Sequence, residues 1–285
     1  MSRRLRRQRG VALLLVLWAC TLLAILLGGY AALARTEGLQ ARYQFAQARA
    51  HYAAEAGLMR AVYALHDPVV KQRWAADGRV YPFHIDDATV MVSATDEGGK
   101  VDLNSASLPV LQGLFTAAGQ PPEQAARLAE NVINWRSPPG MDSDAASRAA
   151  AYAAAGRNYG PRNGAFASIE ELQMVLGVTP TLYRMLAPEL TIWSGRAVPD
   201  VNTAPPLALA AIPGLGPEQL QSIRTARSRN ARDPALALDT GSTHSIRSEA
   251  TLADGTRAIL RATIRVQGGG DQPYAVLRWQ EGDSE

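Results

Sequence analysis

The chain has 285 residues, 47% of them hydrophobic, which is enough for one large domain or two modest ones with a real core. The formal net charge of +3 sits at the start. Without Arg3, Arg4, Arg6, Arg7 and Arg9, 24 basic residues face 26 acidic ones, so the body has no basic excess to attract nucleic acid. The only cysteine, Cys20, excludes an intramolecular disulfide, and the four histidines (His51, His66, His84, His244) are scattered without zinc-ligand spacing.

The five arginines lead to Gly10, and Val11 to Ala34 then run 24 residues without a charge. About 20 apolar residues span a bilayer core at roughly 1.5 Å each. Arginines on one flank only hold that end in the cytoplasm and place everything after Ala34 outside the inner membrane. An ordinary secretory signal has a shorter apolar core, although Ala32 and Ala34 imitate its cleavage site. A basic leader, a glycine and a long apolar helix match the way a prepilin is addressed and processed; an uncleaved signal anchor is the alternative. Leu39, Tyr43, Ala46, Ala50, Ala53, Gly57, Ala61 and Leu65 continue at helical spacing up to Asp67-Pro68, which predicts one helix to about His66. Its outer half is Ala-rich and suited to lying on a sheet.

Short strands follow at Phe83–Ile85 and Thr89–Thr95, with Asp86-Asp87 as the turn. At the far end, Ile246–Leu252, Arg257–Gln267 and Tyr274–Gln280 read as an antiparallel meander joined by Ala253–Thr256 and Gly268–Asp271. The middle strand alternates, with Leu260, Ala262, Ile264 and Val266 on one face and Arg261, Thr263, Arg265 and Gln267 on a wet one. A helical block, about Asp102 to Arg229, separates the two strand groups and contains an internal repeat. Asp102-Leu103-Asn104-Ser105-Ala106 matches Asp200-Val201-Asn202-Thr203-Ala204, and Val110, Leu111 and Leu114 match Ala208, Leu209 and Ile212. The side chains of Asn104, Ser105, Asn202 and Thr203 are expected to bond free amides where helices begin, and Ser168-Ile169-Glu170-Glu171 to form a capping box opening another helix.

Ile212-Pro213-Gly214-Leu215-Gly216-Pro217 has the form of a helix–hairpin–helix turn. Its amides could hold a phosphate, with Arg224, Arg227, Arg229 and Arg232 downstream, but a packing hairpin is the simpler reading because Glu218, Asp233 and Asp239 offset those arginines. Asp142 and Asp144 alternate in a Gly/Pro loop and could ligate a hard cation such as calcium, or cap a helix before Ala145. No nucleophile elbow, phosphate loop or paired-histidine metal motif is present, and Gly98-Gly99-Lys100 reads as a turn, so no catalytic residue is assigned.

Four separated segments carry a family resemblance: Arg9–Val16; Asp96–Asn104 (DEGGKVDLN); Asn131–Arg136 (NVINWR); and Val201–Pro206 with Ile212–Leu215. Together they resemble the minor pseudopilin K family of the type II secretion system (general secretion pathway protein K). The resemblance implies an α+β fold: a long N-terminal transmembrane and amphipathic helix, a pilin-like antiparallel sheet, and a large all-α domain inserted between strands. It divides the chain into a leader (1–10), a membrane half-helix (11–34), the periplasmic helix with the first strands (35–100), the inserted domain with its hairpin repeats (101–230) and the last strands (231–285). Prepilin peptidase would cut between Gly10 and Val11, and Val11 would be N-methylated. The mature protein would not be an enzyme. It would sit at the tip of the pseudopilus, nucleating assembly with minor pseudopilins I and J on the inner-membrane assembly platform, and could touch exported protein; nucleic acid is not an expected partner. The anchor would be single-pass in the inner membrane of a Gram-negative bacterium, with the body in the periplasm. Most pilin-like subunits carry glutamate at mature position five, where this chain has Leu15. A tip subunit has no neighbour above whose terminal amine would answer that carboxylate, and a lone charge in lipid costs several kcal/mol. The family's helical domain can bind calcium, which brings Asp142 and Asp144 forward as ligands; where the family often has a further aspartate pair, this chain has Ser137 and Pro139. A type IV minor pilin and a membrane-anchored DNA receptor are the rival readings.

Overall fold

The computed structural model describes residues 9–69, 72–138, 145–230, 242–267 and 274–282. Helix α1 (Arg9–Leu65) is continuous over 57 residues and on the order of 85 Å long. It ends before Asp67-Pro68, where the Val69 amide donates to Asp67 Oδ1. From Ala12 through the membrane-length stretch its side chains are exposed; the helix is long and apolar enough to cross a bilayer.

The distal half of α1 lies on a five-stranded antiparallel sheet of order β1 (Asp77–Ile85), β2 (Ala88–Asp96), β5 (Thr243–Thr251), β6 (Arg257–Val266) and β7 (Tyr274–Glu281). The buried side of the helix is made of small residues, Ala50, Ala53, Ala54, Ala61 and Ala64, with Leu58 and Leu65 as the large ones. All of these but Ala64 meet Val90, Val92, Ala94, Ile246, Ala250, Leu260, Ala262 and Ile264 in one core. Strand β1 starts earlier than the sequence suggests. Pro82 is tolerated because β1 is an edge strand and one side of it needs no donor, while Trp74 stacks on Tyr81 with ring centroids 4.1 Å apart. Asp86 takes φ +50° in the expected turn, and Gly255 takes φ +86° in the β5–β6 turn. The predicted Gly268–Asp271 turn lies outside the described residues. The outward face of β6 is drier than its alternation implies. Ile259 and Thr263 are both buried, and Arg265 Nη2 donates to the Trp193 carbonyl (2.8 Å) of the helical block.

Between β2 and β5 the chain forms a second core. Its elements are β3 (Val101–Asp102), α2 (Leu108–Ala117), α3 (Pro122–Arg136), α4 (Ala145–Ala154), α5 (Pro180–Leu186), β4 (Leu190–Thr191), α6 (Pro206–Ala210) and α7 (Pro217–Asn230). Strands β3 and β4 pair in parallel. The α+β fold expected from the sequence is thus the fold observed, with the helical block interrupting the sheet.

The internal repeat is a repeat of structure. In each copy a five-residue turn leads to a short helix, a glycine at positive φ (Gly119 +84°, Gly214 +82°), a proline-initiated second helix and an arginine. Arg136 donates to the carbonyls of Leu103 and Ala106, both at 2.7 Å; Arg227 donates to those of Val201 and Ala204. Each guanidinium thus satisfies two acceptors of the turn that opens its own copy, a charge-assisted brace between sequence-distant ends. Burial holds both guanidinium groups below their usual pKa, opposed by Asp102 beside Arg136 and by Asp200 beside Arg227.

The capping roles differ from expectation. Asp102 Oδ1 accepts the Asn104 and Ser105 amides (2.7 and 3.1 Å) and Asp200 Oδ1 accepts that of Asn202 (2.9 Å). The aspartates therefore close the turns, and α2 and α6 begin at or beside prolines that lack the amide a cap would serve. Asn104 instead holds Phe166 through two hydrogen bonds, and Thr203 Oγ1 donates to Asp96 Oδ2 (3.1 Å). The segment after Ser168 is a 3-10 turn over Ile169–Met174 without a serine cap; Glu171 reaches past it to the Ala167 amide and Arg162.

Candidate assembly interface

Among the described residues, two surfaces of α1 are largely uncovered. One is the membrane-length segment, where Leu13, Leu14, Leu15, Val16, Leu17 and Trp18 are all well exposed. Leu15 is an apolar side chain on that surface, 63% exposed. The other runs along the back of the distal half, opposite the sheet. Phe45, Tyr52 and Tyr63 are about 70% exposed there (67%, 68% and 71%); Met59, between Tyr52 and Tyr63, is half-covered, its Sδ accepting the Tyr274 hydroxyl of β7 (3.3 Å). Ala48 and Ala56 alternate with these large groups at spacings of three and four, giving a ridge of knobs and gaps along the helix. The helix can show this ridge because its alanine side already satisfies the sheet.

Charge is arranged beside the ridge rather than on it. Arg49 pairs with Asp87 at the β1–β2 turn and its guanidinium lies 5.9 Å from the Phe45 ring centroid; Arg60 lies 5.0 Å from that of Phe83. The Arg49–Asp87 pair ties the end of the sheet nearer the apolar segment to α1. At the other end His66 contacts His244 at the start of β5. Asp96 and Thr243, between which the helical block leaves and rejoins the sheet, therefore lie at the end of the sheet far from the apolar segment, and the block caps the rod.

Gly10 and Val11 fall within the first turns of α1, before the first residue whose side chain is described. Asp142 and Asp144 lie outside the described residues, and among the described ones no three His, Cys, Asp or Glu side chains gather as a metal would need. The NVINWR motif has a packing role: Asn131 donates to the Leu176 carbonyl, Val132 and Trp135 are buried, and Arg136 forms the brace. In the second hairpin the Gly216 amide donates to Gln219 Oε1 (2.7 Å) and Arg227 to carbonyls, so neither faces out toward a phosphate. Of the surfaces described here, sequence reasoning missed the aromatic ridge. Phe45, Tyr52 and Met59 recur every seven residues, a signal available in the sequence but masked by the stronger alanine face.

Residues 90–195 match the model of the first domain of type II secretion system protein K. Over that stretch the chain is similar to type II secretion protein K. That domain runs from β2 through the first hairpin repeat to the turn after β4. A chain in the crystal structure of the GspK-GspI-GspJ complex from the enterotoxigenic Escherichia coli type 2 secretion system shares the fold. It has a TM-score of 0.54 and 19% identity, covering 88% of this chain and 99% of that one. No curated protein sequence matches significantly. The likeness to minor pseudopilin K read from the four motifs is borne out by the protein K domain and by this fold.

Proposed function

We propose that this chain is the minor pseudopilin at the tip of the type II secretion pseudopilus, assembling with minor pseudopilins I and J to nucleate the filament that exports folded proteins. The observation that carries the reading is the arrangement along one rod: an apolar membrane segment, an uncovered aromatic ridge, and a bulky helical block at the membrane-distal end. Lateral neighbours can pack on the ridge, whereas a subunit stacked above would meet the block. Leu15 fits the same position, because a terminal subunit has no neighbouring amine for a carboxylate to answer. The resembling chain comes from a complex of K, I and J, which supports those two partners here. The role is structural, with the body in the periplasm and the amino terminus cytoplasmic.

Processing is the first test. Co-expressed with prepilin peptidase, the chain is expected to lose residues 1–10 and to gain one methyl on Val11, read by intact mass. An unchanged mass would remove the prepilin reading and leave an uncleaved anchor.

Calcium at Asp142 and Asp144 is part of the proposal. Trp135 accepts the Gly164 amide, so Asn163 sits beside the end of α3 that leads into the acidic loop. Asn163 has φ +55°, and its buried Oδ1 has no hydrogen-bond partner among the described residues. An oxygen of that kind suits a hard cation, which needs six to eight such ligands. Calcium is expected to raise the melting temperature and a chelator to reverse it, with Asp142→Ala abolishing the shift. Identical melts in all four conditions would leave the loop without a metal.

A further inference from the structure

His244, the second residue of β5, is 0% exposed, and neither of its ring nitrogens has a hydrogen-bond partner among the described residues. Its neighbours are titratable on three elements. The His66 ring at the end of α1 lies 5.6 Å away, Asp96 is its register partner on β2, and Glu97 follows in the next turn; its β6 partner, Ile264, carries no charge. Burial is the largest cause holding the imidazole down to about 4, with His66 acting in the same direction and Asp96 and Glu97 opposing.

The Asp96 carboxylate is where the sheet grips the second repeat. Oδ1 accepts the Gly98 amide (2.8 Å) and Oδ2 the Thr203 hydroxyl (3.1 Å). The Gly98 carbonyl accepts the Asp200 amide, and a Cβ on Gly99 would overlap the Thr203 carbonyl, so this turn is seated directly on the repeat. A neutral imidazole beside this seat offers one donor and one acceptor. An imidazolium offers two donors, and a carboxylate is the acceptor at hand.

We propose that His244 is an acid trigger at the joint between the sheet and the helical block: once protonated, it draws the Asp96 carboxylate away from Thr203 and loosens the block. The inference is independent of the tip assignment. The sign follows from linkage. The native state binds this proton less readily than the unfolded chain, so the contribution to stability is complete above about 6.5 and is lost as pH falls toward 4.

Hydrogen–deuterium exchange of the full chain in detergent tests it, corrected for the intrinsic pH dependence of exchange. Peptides covering 96–104 and 198–206 are expected to exchange roughly tenfold faster at about pH 5 than at neutral pH, one decade being well inside the shift. The α2–α3 hairpin should stay protected. His244→Leu should abolish the rise, and Thr203→Val should show fast exchange at neutral pH. The proposal is overturned if the wild type shows no rise, if His244→Leu shows the same rise, or if Thr203→Val stays protected. Should His244→Leu fail to fold, the wild-type titration and Thr203→Val still decide.

Discussion

Replacing Gly57 with leucine is expected to lift α1 off the sheet and to cost about 3 kcal/mol or more. Gly57 is where the helix comes closest to the strands. A Cβ there would overlap Ser248 Oγ, lie 2.7 Å from Val90 Cγ1 and 3.1 Å from Val92 Cγ2. Ser248 Oγ can rotate aside, but Val90 and Val92 are 0% exposed and their branched side chains have little room to turn. Overpacking a tight core costs roughly 1–3 kcal/mol even where the neighbours yield. Here the strain would also unseat Leu58 and Leu65, each no more than 2% exposed on the same face. Melting followed by circular dichroism should fall by on the order of 10 °C. An unchanged melting temperature would show that the helix does not sit this close to the sheet.

Tyr52→Glu is expected to do the opposite: leave folding intact and break assembly. Tyr52 is 68% exposed in the middle of the ridge, and its ring contacts only the edge of His51 among aromatic neighbours. A surface change of this kind moves stability by roughly half a kcal/mol. In an interface, a carboxylate buried against an apolar neighbour without a partner costs several times that. Loss of an aromatic anchor adds about 2 kcal/mol. Binding to purified minor pseudopilins I and J should weaken by roughly 30-fold or more, measured by titration calorimetry. Wild-type affinity in the variant would move the contact surface elsewhere on the chain. Tyr43→Glu, in the free part of the rod below the sheet, is a useful companion. A loss there but not at Tyr52 would confine the interface to the membrane-proximal half.

The two substitutions sit five residues apart on one helix and differ only in which way they point. That difference marks what could be read from residues alone. The three- and four-residue spacing of small side chains identified the sheet-facing side correctly, because a helix lying close on strands needs small groups whatever the details. It could not reveal the outward ridge as a surface, since exposure depends on which side the sheet occupies. The Asp-x-Asn-Ser/Thr-Ala repeat was legible as a pattern, but its mechanics were not. The bonds from Arg136 and Arg227 span 30 residues or more and 23 or more respectively, and no local rule connects an arginine to carbonyls that far back. The assignment of Asn104 as a helix cap failed for the same reason: a better use for its amide, holding Phe166, comes from 62 residues away.

The order of residues by itself determined the membrane-length helix, its stop at Asp67-Pro68, the meander of β5, β6 and β7, and the presence of a duplicated helical element. Each follows from short-range periodicity, charge or turn chemistry acting within about a dozen residues. Only the tertiary structure decided that the helical block stands at the end of the sheet far from the apolar segment, that its second turn is clasped by Asp96, and that His244 is buried at that joint. Those features arise where β2 and β5, far apart in the chain, are brought side by side, and hydrogen bonding and burial there depend on distance in space rather than along the sequence.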